Sequence, residues 1–402
     1  MNLKKILEKK EVIASVPCRV DLGGTLDIST FFLPLGHLEP STFNIALDMR
    51  TTVTLSPWKD GYIKISSKGF QSAEFEAQTA PFNHPMGLMF AVAGFFNADG
   101  VHVQIESSSP PRSALGGSSA AAVAMIGAFR SAMESSIETH YNAVSIAGEP
   151  LQTDPENNQL KPSELILRAG NIVEPAHTAL LAHYIESSVA GVPCGLQDQL
   201  AAAYGGVNCW YWHMGSNGIS FTRENLIAAD NTILPSPPLN PVGGIITGGR
   251  ASAYDMNSNI LVAYCGIPHV SSDINSRWIK SFLAGRDRDK WQEIIKITQA
   301  FSGSVKNRDF NLAASLMNQE TSIRLGMTPD VLDKTGKELF ECAQRQGCGA
   351  RFTGAGGGGC LWAIGEKINI ESLRDGWKDI VKKEADADVL DTGIDFEGIL
   401  VN

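Results

Sequence analysis

The sequence predicts an α+β protein of two domains, and three features carry that reading. The chain has 402 residues, more than one small hydrophobic core organises. Strand-like and helix-like segments are mixed, with mainly antiparallel strands and no regular βαβ alternation. A proline- and glycine-rich segment, Thr232–Gly244 (TILPSPPLNPVGG), marks a junction, which places the domains at residues 1–235 and 236–402.

Each element follows from local pattern. Val12–Val20 and Ser41–Pro57 read as strands, the second rich in β-branched residues and ending at proline, and Tyr62–Ser67 reads as a third. His84–Gly100 has apolar residues at helical spacing and a glycine stop, and Val101–Ser107 alternates as a strand. A helix is expected from about Ser118 to Met133. The polar stretch Ser135–Lys161 reads as an insertion or long loop. Pro162–Ser187 reads as two helical pieces broken near Pro175, and Val192–Gly206 as a loop leading into a short helix. Beyond the junction come a strand at Ile260–Ile267 and helices around Asp273–Leu283, Asp289–Gly303, Asn311–Leu325 and Pro329–Gln346. The tail alternates strands at Ala350–Gly354, Gly356–Gly365 and Gly393–Val401 with a helix at Ile370–Ala385. No internal repeat is visible.

Composition narrows the function classes. Apolar residues make up 43% and charged residues 19%, the balance of an ordinary globular protein. A net charge of −10 and the lack of a Lys/Arg run beyond the opening MNLKKILEKK argue against a nucleic-acid-binding face. An acidic protein can still hold an anion at a helix end. No run of apolar residues is long enough to span a membrane, and the first residues lack an apolar signal core. Seven cysteines without a CxxC pair argue against a disulfide framework or a zinc ribbon, so a cytoplasmic protein is expected.

Three glycine-bearing segments and two acids carry the chemistry. In PPRSALGGSSAAAVAM (Pro110–Met125), Ser118 and Ser119 stand where a helix cap belongs, ahead of strong helix formers. Helix N-termini expose unpaired N–H groups, and Gly116 and Gly117 clear space before them, so the segment suits a phosphate with a serine hydroxyl on its Mg²⁺. A capped helix packed tightly on a sheet explains the same stretch. FTGAGGGGC (Phe352–Cys360) matches G-x-G-x-x-G, but a strand-like CLWAIG follows where a dinucleotide fold needs a helix. The loop can wrap a phosphate or simply join two strands. VPCRVDLGGTLDIS (Val16–Ser29) places Arg19 in an apolar strand and Asp27 after a glycine pair. Glu186 and Asp198 flank a loop in HYIESSVAGVPCGLQDQ; alone, each reads as a solvated or helix-capping acid. Together they complete the parts a phosphoryl-transfer site needs.

In that order PCRVDLGG, PPRSALGGSSAAA, AGVPCGLQDQ and FTGAGGGGC resemble the motifs of the GHMP kinases, and they span most of the chain. The QDQ segment is most similar to the sugar-kinase branch of galactokinases, fucokinases and bacterial heptose-phosphate kinases. The resemblance implies an N-terminal domain like ribosomal protein S5 domain 2, a ferredoxin-like C-terminal domain, and a site between them using ATP and Mg²⁺. It implies that Pro110, Ser113, Leu115, Gly116, Gly117, Ser118, Ser119 and Ala120, with Gly354, Gly356 and Gly357, hold the nucleotide. Ser118 or Ser119 and Glu186 would hold the metal. Asp198 would act on the acceptor hydroxyl as base or positioning group, with Arg19 neutralising developing charge. Asp27, Gly24, Gly195 and Gln197 would hold a sugar or sugar phosphate, phosphorylated at its anomeric hydroxyl. A homodimer is compatible with the likeness. The same motifs would serve a kinase of a non-sugar alcohol such as mevalonate or homoserine, or a non-catalytic nucleotide- and sugar-binding relative. Four departures stand out. Arg112 and Ala114 replace glycines usual in the second motif. The first motif is one residue short before Asp27. Arg351 stands where many relatives carry lysine, and His269 where the heptose branch often has arginine.

Overall fold

A computed structural model of the protein describes residues 3–147, 174–191, 193–216, 218–227, 247–248, 256–268 and 271–402. The Thr232–Gly244 junction, the 235/236 boundary, His269, the expected helical piece before residue 174 and the second half of the expected insertion lie outside them.

The first half is a mixed sheet backed by helices. After α1 (Leu3–Leu7), β1 (Val12–Leu22) and β2 (Ser41–Pro57) form an antiparallel ribbon with a register shift at Pro17/Cys18. The short α2 (Ser29–Phe32) sits in their connection. On its far side β2 pairs with β5 (Val101–Ser107) through its second part and with β6 (Val207–Gly215) through its first. β3 (Tyr62–Ser67) and β4 (Ala73–Glu76) extend one edge beyond β5; β7 (Gly218–Ile227) and β8 (Thr247–Gly248) extend the other beyond β6. Helices α3 (Gly87–Phe95), α4 (Gly117–Ala147), α5 (Pro175–Ala190) and α6 (Gln197–Tyr204) bury their small and aliphatic residues in one core with the sheet.

The second half begins with β9 (Ile260–Tyr264). Four helices follow: α7 (Ser271–Leu283), α8 (Arg288–Lys306), α9 (Phe310–Met327) and α10 (Lys334–Arg345). Then come β10 (Gly349–Phe352), β11 (Cys360–Ile364), α11 (Lys367–Val381) and β12 (Asp388–Leu390). The four strands pair antiparallel in the order β10-β11-β9-β12. That is the order of a split βαββαβ unit, ferredoxin-like, with extra helices in its first crossover. A third core lies between the halves, where Phe43 of β2 meets Phe301 of α8 edge-on at 4.9 Å and stacks with Trp362 of β11 at 6.2 Å. Strand β13 (Leu400–Val401) then returns to pair with β1 in the first sheet.

Several elements depart from expectation. The stretch 135–147 is helix, not loop, because SSIETHYNAVSIA holds no glycine or proline to stop α4. Pro329–Gln346 is not one helix: a 3-10 turn at Pro329–Val331 precedes α10, whose cap Asp333 accepts a hydrogen bond from Gly336 N at 2.7 Å. Of the expected strand Gly393–Val401, only Leu400–Val401 and a bridge from Ile394 to Leu47 form. The β6–β7 hairpin and the short strands β4 and β12 are additions that the sequence reading passed over.

Candidate active site

A cleft of about 740 Å³ runs between the halves, and most of the expected residues line it. Its centre is Arg19 on β1, just past the register shift. Nε and Nη2 of Arg19 donate to Oδ1 and Oδ2 of Asp198, each at 2.7 Å, a two-pronged fork. Nη1 donates to Ala114 O at 2.6 Å. Arg19 is almost fully buried, whereas a quarter of the Asp198 side chain faces the cleft. Burial works against the Arg19 charge, but Asp198 and Asp21 outweigh it and hold its pKa above the usual value.

The phosphate-loop candidate lies against this pair. A Cβ built on Gly116 would come within 3.5 Å of Arg19 Cγ and of Asp198 Oδ2. Helix α4 begins at Gly117, with Ala120 N bonded to Gly116 O at 2.9 Å, so Gly116 is the cap. Ser118 and Ser119 therefore sit in the first turn rather than at the cap. They differ: Ser118 is exposed, whereas Ser119 is buried and donates to Glu186 Oε2 at 2.9 Å. Gln199 Nε2 donates to the same oxygen at 2.7 Å. Burial raises the Glu186 pKa, the Ser119 bond opposes the rise and Asp198 adds to it. A hydroxyl and a carboxylate side by side are hard oxygen donors. Mg²⁺ keeps most of its water and takes one or two carboxylates plus phosphate oxygens, so Ser119 and Glu186 fit it. Among the described residues no cluster of three or more His, Cys, Asp or Glu stands ready to hold a metal unaided.

Elsewhere on the cleft, Asp27 is buried in the turn after β1, and its Oδ2 accepts from Gln197 N at 3.0 Å. Burial pushes its pKa up to about 6, the Gln197 bond opposes this and Asp198 adds to it. Gly195 permits the contact: a Cβ there would sit 1.8 Å from Asp27 Oδ2. The Gln197 side chain lines the cleft, and its Oε1 is buried without a partner.

The glycine loop divides. Gly354 lines the cleft, and its N–H donates to Asp21 Oδ1 at 2.7 Å. Gly356 and Gly357 do not line it, and their N–H groups go to Thr353 O and Val331 O. Leu115 and Ala120 are core residues behind the loop, and Gly24 lies in Asp27's own turn but does not line the cleft. Pro110 and Ser113 line the cleft. Arg112 and Ala114 adopt φ of 55° and 62°, left-handed values that explain a preference for glycine there.

Sequence reasoning missed a buried ionic group beneath the site. Asp21 lies two residues after Arg19 on the same strand face and accepts from Arg351 Nη1 at 3.2 Å and from Gly354. Arg351 Nε and Arg324 Nε donate to the two oxygens of Glu320, both at 2.9 Å, and all four side chains are fully buried. The strand period could have found Asp21. Glu320 and Arg324, four apart on a helix, read as an ordinary surface pair.

Comparison with known proteins bears on the fold. The family described as GHMP kinases N terminal domain matches residues 84–149, and that described as GHMP kinases C terminal matches residues 301–383. A protein of Arabidopsis thaliana described as "Probable glucuronokinase 2" is 27% identical over 175 residues. That match spans 42% of this chain and 40% of the relative, so the chain covers about two fifths of its length. Lactococcus lactis galactokinase, solved with galactose, superimposes with a TM-score of 0.62 at 15% identity, over 99% of this chain and 97% of that one. Streptococcus pneumoniae phosphomevalonate kinase, solved with phosphomevalonate and AMPPNP, gives a TM-score of 0.61 at 12% identity, over 95% and 99%. No helix among the described residues is long and apolar enough to cross a membrane.

Proposed function

We propose that this chain, which carries the N- and C-terminal domains of the GHMP kinases, transfers the γ-phosphate of ATP to a hydroxyl of a sugar or sugar phosphate. The observation that carries the reading is the Arg19–Asp198 fork set beside the Ser119–Glu186 pair and the open first turn of α4, in one cleft. The first-turn N–H groups of α4 and its dipole favour the nucleotide's phosphates. Ser119 and Glu186 would hold Mg²⁺, which when bound neutralises phosphate charge. Asp198 uses one lone-pair direction on each oxygen for Arg19 and keeps another toward the cleft. There it would orient the acceptor hydroxyl and take its proton as the new P–O bond forms and the bond to ADP breaks. Asp27 and Gln197 would accept hydrogen bonds from further acceptor hydroxyls. A sugar is preferred over a non-sugar alcohol because the curated relative is described as a glucuronokinase.

The test is ADP release from ATP with D-galactose, L-fucose, D-glucuronate and their phosphates. Asp198→Ala is expected to bind MgATP within about twofold of wild type and to lower kcat by roughly 10²–10⁴. Unchanged turnover in that variant would remove Asp198 from the reaction.

A further inference from the structure

We propose that Arg324 is a positioning residue: from the second half of the molecule it holds the Gly23–Asp27 turn in the shape that presents Asp27 to the acceptor. This rests on the acceptor-side reading above.

Arg324 is fully buried on α9, and three kinds of contact fix it. Nε donates to Glu320 Oε1 at 2.9 Å, and the guanidinium lies 4.6 Å from the ring centres of both Trp278 and Trp291. Nη2 reaches across to Gly24 O at 2.7 Å. Trp278 is itself held by its Nε1–H bond to Thr328 Oγ1 at 2.8 Å. Nη1 is buried without a partner. Burial lowers the pKa of Arg324 to about 10 and Glu320 opposes the drop, so the group is charged at neutral pH. A buried ion pair with an unsatisfied nitrogen is a poor device for stability alone. The remaining bond, to the turn, gives it another purpose.

The turn needs such a hold. Thr25, the residue after Gly24, has φ of 83°, a left-handed value that a β-branched side chain opposes. Strain of this kind persists only where the surroundings impose it, and it gathers at working sites. Within the turn, Leu26 N bonds Gly23 O at 3.3 Å and Ile28 N bonds Thr25 O at 3.0 Å. Arg351 and Trp362 hold Asp21 O just ahead of it, at 3.2 and 2.9 Å, and Arg324 reaches the turn itself. Two residues beyond Thr25 stands Asp27, bonded to the segment that carries Asp198.

Hydrogen exchange of the full chain tests this without an acceptor. In Arg324→Met the amides of residues 22–29 are expected to exchange about tenfold faster, and those of residues 110–122 at the wild-type rate. Arg324→Lys, which keeps the charge and one donor, gives a smaller increase of about threefold. Adding Thr25→Gly to Arg324→Met brings exchange back to within about threefold of wild type, because glycine adopts that φ unaided. Calorimetry with MgATP gives the wild-type Kd within about twofold. With whichever of D-galactose, L-fucose or D-glucuronate turns over fastest, acceptor KM rises about tenfold and the KM for ATP stays put. Acceleration spread over the whole chain, an unchanged turn, or no rescue by Thr25→Gly overturns the proposal. If none of the three sugars turns over, the exchange results still decide it, while the kinase reading fails on its own.

Discussion

Asp27 and Asp198 are both carboxylates on one cleft, and their partners separate their roles. Asp198 has a full guanidinium across both oxygens, whereas Asp27 is buried with only backbone N–H donors and with Asp198 and Asp21 as like-charged neighbours. Asp27 therefore titrates near 6 when folded, above the usual aspartate value. With the folded pKa raised, the native protein holds a proton here between about pH 4 and 6 that the unfolded chain releases. The stability from this group is present below about pH 4 and is lost as pH rises through 6, on the order of 3 kcal/mol in all. Denaturant melts of wild type and Asp27→Asn across pH 4–7 check it: the difference should move against wild type as pH rises. A constant difference would mean that Asp27 is ionised throughout. The residue types at this site were legible from their motifs, but these unequal settings were not, since burial and partners come from segments far apart in the chain.

Helix α4 shows what local pattern can and cannot tell. Gly-Gly-Ser-Ser-Ala located its start within a residue, because glycine, cap and helix formers act locally. Its extension to Ala147 was missed, since polar residues without a breaker are as compatible with helix as with loop. The β6–β7 hairpin hid in the same way behind a tryptophan-rich run that lacks a sharp alternation. The sequence offered Ser118 and Ser119 equally, and the helix's rotation separates them by turning Ser119 inward onto Glu186. Ser119→Ala should raise the Mg²⁺ concentration for half-maximal rate about tenfold, and exposed Ser118→Ala by less than about twofold. The reverse order in the two titrations would assign the metal-facing hydroxyl to Ser118.

The two halves are welded rather than hinged on a single strip. Aromatic residues from both fill one core, and beneath the cleft two acids and two arginines neutralise each other out of water. Removing Glu320 or Arg351 would strand a buried charge and cost several kcal/mol, whereas Glu320 keeps Arg351 when Arg324 is replaced, so the arrangement of the halves is strongly specified. The tail adds a second tie. After β12 the chain crosses back, Ile394 bridges Leu47, Arg50 pairs with Asp395 and donates to Gly398 O, and β13 pairs with β1. Ile399 packs where a Cβ on Gly127 of α4 would stand, so the tail braces the helix whose first turn lines the cleft. Three apolar side chains of the tail, Ile394, Ile399 and Val401, are wholly or partly buried, which is worth about 3 kcal/mol together. Removing residues 393–402 should therefore lower Tm by about 3–5 °C and speed hydrogen exchange in β1 and α4 before any change in β9–β12. A drop under about 2 °C, or exchange that quickens first in the second sheet, would show that the tail does not brace the first half.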